Sequence, residues 1–111
     1  MASVLPTRLD QAVVDAKTRL LQRFAERLES VVLFGSYAWG DPHAGSDVDL
    51  SVVVLGLTER ERAEVVQLVA DVSVDRGVDL SVLPWSSEQM ARAQATELGI
   101  AIAIAEKGIP L

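Results

Sequence analysis

The sequence predicts an α+β fold, one small mixed β-sheet with helices packed against it. Three observations carry this. Three valine-rich runs, Val31 to Phe34, Val48 to Leu55 and Val78 to Leu83, have the length and composition of buried strands. Stretches of helical period flank and separate them. The connections are short and carry Gly, Pro and Ser, which leaves room for one domain spanning 1–111.

The elements follow in order. Leu9, Val13, Leu20, Phe24 and Leu28 recur at helical spacing and predict a first helix from Thr7 to about Glu29. Val31 to Phe34 is a short apolar run, a strand buried on both faces. Gly35-Ser36 breaks it, and Tyr37 to Trp39 has room for one helical turn. Gly40-Asp41-Pro42 and Ala44-Gly45-Ser46 are loop chemistry. After the second strand, Thr58 and Glu61 have the spacing of a capping box. They open a helix that runs to about Ser73 and buries Val65, Val69 and Val72. Arg76-Gly77 turns the chain into the third strand, which Pro84 is expected to stop. Ser86 or Ser87 caps a single last helix reaching about Glu106, with Gly108 as its C-terminal cap and Ile109-Pro110-Leu111 as a tail.

Composition narrows the function. The chain carries a net charge of −6 with a pI near 4.6 and shows no basic stripe, so a long polyanion is a poor partner. A single nucleotide that brings its own metal remains compatible. The absence of cysteine excludes disulfides, thiolate zinc sites and thiol catalysis. No apolar run is long enough to cross a bilayer, and MASVLPTRLD lacks the regions of a signal peptide. The expectation is a soluble cytoplasmic protein.

The chemistry concentrates in VVLFGSYAWGDPHAGSDVDLSVVV. Residues two apart on a strand share a face, so Asp47, Asp49 and Ser51 point one way and Val48, Leu50 and Val52 the other. The pentapeptide Val48-Asp49-Leu50-Ser51-Val52 recurs as Val78-Asp79-Leu80-Ser81-Val82. If the two strands are neighbours in phase, Asp79 joins Asp47 and Asp49 on one surface. Three ionised carboxylates this close repel one another. A pair of Mg²⁺ ions resolves the conflict, since Mg²⁺ prefers oxygen ligands from a few carboxylates plus substrate phosphates. Two metals about 4 Å apart steady the attacking and leaving oxygens of an in-line displacement. Asp47 and Asp49 would bridge the metals, and Asp79 would complete one shell and help deprotonate the attacking hydroxyl. Gly35 lets backbone approach a phosphate. Ser36 offers a hydroxyl and an N–H, and Ser46 either caps the loop or adds one further phosphate contact. The bland alternative is a solvated strand edge beside an ordinary turn. The joint spacing, with the third Asp in phase, weighs against it.

Gly35-Ser36, ten intervening residues, then Asp47-x-Asp49 resembles the motif of the polymerase β-like nucleotidyltransferase superfamily. More closely, the chain looks like the minimal nucleotidyltransferases, its small single-domain branch, over nearly its whole length to Glu106-Lys107-Gly108. The resemblance implies a nucleotidyltransferase fold, Mg²⁺ dependence, and transfer of a nucleoside monophosphate, usually AMP from ATP, with pyrophosphate released. It assigns Gly35 and Ser36 to the phosphate loop, Asp47 and Asp49 to the paired metal ligands, and Asp79 to the third carboxylate. Members of the branch often carry a basic residue shortly after the Gly-Ser pair, where this chain has Trp39. They frequently pair with a HEPN-domain ribonuclease as a toxin–antitoxin system, in which the antitoxin transfers AMP to a toxin tyrosine. Small size, acidic charge and an apolar last helix are consistent with that partner. One alternative is an inactive domain of the same fold that neutralises its partner by contact. Another is an aminoglycoside-type enzyme acting on a small molecule, which normally needs an added helical domain for the acceptor.

Other residues have plainer readings. His43, in a Pro/Gly loop, is read as solvated. Trp39 either stacks on a base or covers the sheet edge, the latter favoured. Trp85 anchors a strand end. Asp71 and Asp75 are surface charges. The stretch GIAIAIA is apolar nearly all round, as in a well-buried terminal helix or a face that docks a partner or a second copy.

Overall fold

The first amphipathic run folds as helix α1, Thr7–Phe24, and ends sooner than its periodicity predicts. Ala25 takes a positive φ of 50° and stops the α-helix behind the buried Phe24. A 3₁₀ turn, Ala25–Arg27, follows, so Leu28 belongs to a strand rather than to the helix. The computed structural model describes residues 5–40, 42 and 47–111. Ser46 and His43 therefore lie outside the described residues.

The remaining elements are β1 (Leu28–Phe34), α2 (Ser36–Trp39), β2 (Val48–Val54), α3 (Glu59–Arg76), β3 (Leu80–Ser86), α4 (Ser87–Ala95), α5 (Gly99–Lys107) and β4 (Ile109–Pro110). They form a mixed sheet of order β3-β2-β1-β4, with β1 antiparallel to β2 and β4 and β2 parallel to β3. This is the mixed sheet with packed helices that the sequence predicts.

One face of the sheet carries Val31, Leu33, Val48, Leu50, Val52 and Val54. It packs against Ala12, Val13, Ala16, Leu20 and Phe24 of α1 and Val65 and Val72 of α3. Burying each large aliphatic side chain is worth about 1.5–3 kcal/mol, so this layer holds the fold. At the rim, Arg19 pairs with Asp15 and with Asp75 at 3.0 Å, and Arg23 with Glu64 at 2.6 Å, tying α1 to α3. The other face is covered by α4 and α5, where Val53, Met90, Ala93 and Ala101 form a smaller cluster with Trp85 against it. Trp85 thus anchors the strand end as expected.

Helix α3 opens at the predicted capping box. The Thr58 hydroxyl accepts from the Glu61 N–H, and the Glu61 carboxylate accepts from the Thr58 N–H, both at 3.1 Å. The helix continues past Ser73 to Arg76 and ends on Gly77 in the left-handed region.

Three expectations are corrected. Pro84 does not stop β3, which runs on to Ser86. The strand lies at the sheet edge, where a missing N–H costs no ladder bond, and the Pro84 carbonyl accepts from Arg62 at 2.6 Å. The last helix is two helices. Glu97 has a φ of 56°, and the Leu98 N–H returns to the Ala93 carbonyl at 2.9 Å, so the chain changes direction before Gly99. The C-terminal tail is a strand. Ile109 and Pro110 pair with Leu33 and Val32, and the Leu111 N–H donates to the Val31 carbonyl at 2.9 Å. No helix among the described residues is long and apolar enough to cross a membrane.

Candidate active site

The site forms at one end of the sheet, where β1 finishes and β2 and β3 begin. Phe34 pairs with Asp49 across β1 and β2, which brings the next residue, Gly35, against the Asp49 carboxylate. A Cβ on Gly35 would collide with Asp49 Oδ2 and lie 3.1 Å from its Cγ. Gly35 also has φ 79° and ψ −161°, a backbone region essentially restricted to glycine. The Gly-Ser break is therefore a cradle for the carboxylate as well as a turn. Ser36 starts α2, and the Gly35 carbonyl accepts from the N–H groups of Ala38 and Trp39 at 3.1 Å each. The Ser36 hydroxyl has no protein partner among the described residues.

Asp47 immediately precedes β2, and Asp49 lies within it on the face opposite the main core. Neither carboxylate is hydrogen-bonded to a described residue. Burial, followed by the negative charge of Asp47, pushes the Asp49 carboxyl above its ordinary range. A carboxylate held in this way favours a cation.

Asp79 arrives in phase, but not as the repeated pentapeptide suggests. Val48 pairs with Leu80 and Asp49 with Ser81, so the two copies are offset by two residues. Asp79 thereby comes opposite Asp47, and its carbonyl accepts from the Val48 N–H at 2.9 Å. It also lines a cleft of about 190 Å³ with Arg8, Leu9, Tyr37, Val48, Gly77 and Val78. The three carboxylates do not close into one metal-holding cluster among the described residues. The expected convergence reduces to a pair, Asp47 and Asp49, with Asp79 alongside. A pair fits Mg²⁺, which commonly takes one or two carboxylates and fills its octahedron with phosphate and water.

Two further placements matter. Trp39 is 51% exposed, so about half of its surface stays open to solvent. Lys107, at the end of α5, places its ammonium 5.9 Å from the centroid of the Trp39 ring. Nothing in the local sequence marks that contact. It depends on β4 closing against β1. On α5, Ala101 and Ile104 are buried while Ile100 and neighbouring Leu98 are 42% and 49% exposed. The helix is thus covered on one side only.

No curated protein is similar enough to this chain to match it. Among solved structures, one described as a minimal nucleotidyltransferase shares 22% identity and a TM-score of 0.62, over 99% of this chain and 100% of that one. Two structures of toxin–antitoxin proteins are similar over most of this chain. One, with AMP-PNP, has 24% identity and a TM-score of 0.53, covering 86% of this chain and 68% of that one. The other, a variant of MntA-HpeT, has 21% identity and a TM-score of 0.54, covering 85% and 68%. These likenesses share the fold. The family model "Polymerase beta, Nucleotidyltransferase" matches residues 18–107, a span that holds Gly35, Ser36, Asp47, Asp49 and Asp79, and the chain belongs to that family.

Proposed function

We propose that this chain is a cytoplasmic, Mg²⁺-dependent nucleotidyltransferase that moves AMP from ATP onto a tyrosine of a HEPN-type toxin, as the antitoxin of that pair. The observation that carries the reading is the fit of Asp49 into the space left by Gly35, beside an Asp47 that has no partner among the described residues. Such a site holds two carboxylates ready for a cation beside the Gly35-Ser36 turn. The structural likeness to toxin–antitoxin proteins, one of them with AMP-PNP, supports the choice of partner and nucleotide.

Two Mg²⁺ ions, when bound, would neutralise the triphosphate and lower the pKa of the attacking hydroxyl. Asp47 and Asp49 would hold them, with Asp79 on the acceptor side. Gly35 and Ser36 would position the phosphates by close backbone approach and the Ser36 hydroxyl. The acceptor oxygen then bonds to the α-phosphorus as the bond to pyrophosphate breaks, and Asp79 takes the hydroxyl proton.

Incubation with α-labelled ATP, Mg²⁺ and a HEPN-type protein encoded beside this chain tests this. Label should appear on that protein with the wild-type chain and fall more than about 100-fold with Asp47→Ala/Asp49→Ala, since even outer-shell metal partners cost 10–100-fold. No transfer by wild type, or equal transfer by the double variant, overturns it. The exposed Leu98 and Ile100 favour a second reading, neutralisation by contact alone. Full protection of cells by Asp49→Ala would select that reading.

A further inference from the structure

The segments that build the candidate site bring negative charge and no positive charge. From Leu28 through Glu59 there is no lysine or arginine, and none from Gly77 through Ala91, while Asp47, Asp49 and Asp79 all lie in these stretches. A nucleoside triphosphate adds further negative charge. Metal offsets part of it, and the remainder calls for a cation from elsewhere in the fold.

The sheet supplies one. Val32 pairs with Pro110 and Leu33 with Ile109, which brings the end of α5, where Lys107 lies, alongside the end of β1 that leads into Gly35. Asp49 reaches Gly35 from the β2 side, and Lys107 approaches Trp39 from the β4 side. Gly108 makes the approach possible, because a Cβ there would collide with the Ile104 carbonyl and Val32 Cγ1. The Lys107 ammonium rests over the Trp39 ring and makes no ion pair with a described residue. Trp39 is a half-exposed indole at the end of the short helix that begins with Ser36, a platform that holds a cation without neutralising it.

We propose that Lys107 is a nucleotide-binding residue whose ammonium, held on Trp39 beside the Gly35-Ser36 turn, takes the triphosphate on the side of Gly35 away from Asp47 and Asp49. This rests on the nucleotidyltransferase reading above. Lys107 stands outside the motif in sequence and reaches the site only because β4 closes the sheet.

The test is direct binding of Mg²⁺-AMP-PNP and of AMP to the full chain by calorimetry. Lys107→Ala should raise the Kd for Mg²⁺-AMP-PNP about tenfold, the scale of one charge-assisted hydrogen bond. It should change the Kd for AMP much less, and Lys107→Arg should restore binding. Adding Trp39→Arg to Lys107→Ala should also recover affinity by supplying the charge from α2 itself. Wild type that binds Mg²⁺-AMP-PNP with a Kd unchanged in Lys107→Ala overturns this proposal and leaves the site reading intact. Wild type that binds no nucleotide overturns the site reading and this proposal with it.

Discussion

Gly35 and Asp49 occupy one shared space, in that the hydrogen at the Gly35 α-carbon leaves room that the Asp49 carboxylate fills. Gly35→Ala therefore strains both residues. It forces a side chain into a backbone region that only glycine readily adopts, at a cost of about 1–3 kcal/mol, and pushes Asp49 off its position. Urea denaturation should show that loss, and Mg²⁺-nucleotide affinity should fall in the folded variant. Wild-type stability and affinity together would contradict the cradle.

Asp49 is expected to trade stability for function. Its carboxyl is held above the ordinary value of 3.8, first by burial and then by Asp47. The folded chain thus binds that proton more tightly than the unfolded chain does. Its stability falls as pH rises from the ordinary value through the raised one. Asp49→Asn removes the charge at constant size. In metal-free buffer it should melt above wild type at neutral pH, and the gap should close below about pH 3.8. The same variant should lose Mg²⁺-nucleotide binding.

Glu61 behaves in the opposite sense. The Arg27 guanidinium, followed by the Thr58 N–H, lowers its carboxyl from 4.5 to about 2. Its contribution is complete above about pH 4.5 and is lost as pH falls through about 2. Glu61→Gln should be less stable than wild type at neutral pH and approach it in strong acid, as urea midpoints across that range would show. Thr58→Ala removes the other half of the box and should cost about 1 kcal/mol at neutral pH.

Gly108→Ala should loosen β4. The new methyl meets the Ile104 carbonyl and Val32, so the end of α5 must lift from β1. Hydrogen exchange at the Leu111 N–H, bonded to Val31 at 2.9 Å, should quicken well before global unfolding. Unchanged protection would show that the chain absorbs the methyl elsewhere.

The predictions draw on two kinds of information. The capping box at Thr58 and Glu61, the inward Val48, Leu50 and Val52, and the outward Asp47 and Asp49 were legible in the sequence. Each depends on residues within a few positions of one another, through a side-chain bond or through strand alternation. Gly35-Ser36 was legible as a break. Its role as the space for Asp49 was not, because that needs Phe34 set opposite Asp49.

What tertiary structure alone decided is how distant segments meet. The pentapeptide repeat suggested that Asp79 would repeat the setting of Asp49, but the parallel register pairs Asp49 with Ser81 and leaves Asp79 beside Asp47. Pro84 was read as a stop, and became tolerable only because β3 is an edge strand. The helix break at Glu97 and the pairing of Ile109 with Leu33 answer to packing on the second face of the sheet, which no local pattern encodes. Sequence by itself thus determined most of the helices and strands and the acidic residues of the candidate site, through short-range periodicity and caps. The assembled sheet decided the register, and with it the place of Lys107 beside Trp39, because pairing between remote strands is set by how the whole sheet buries its faces.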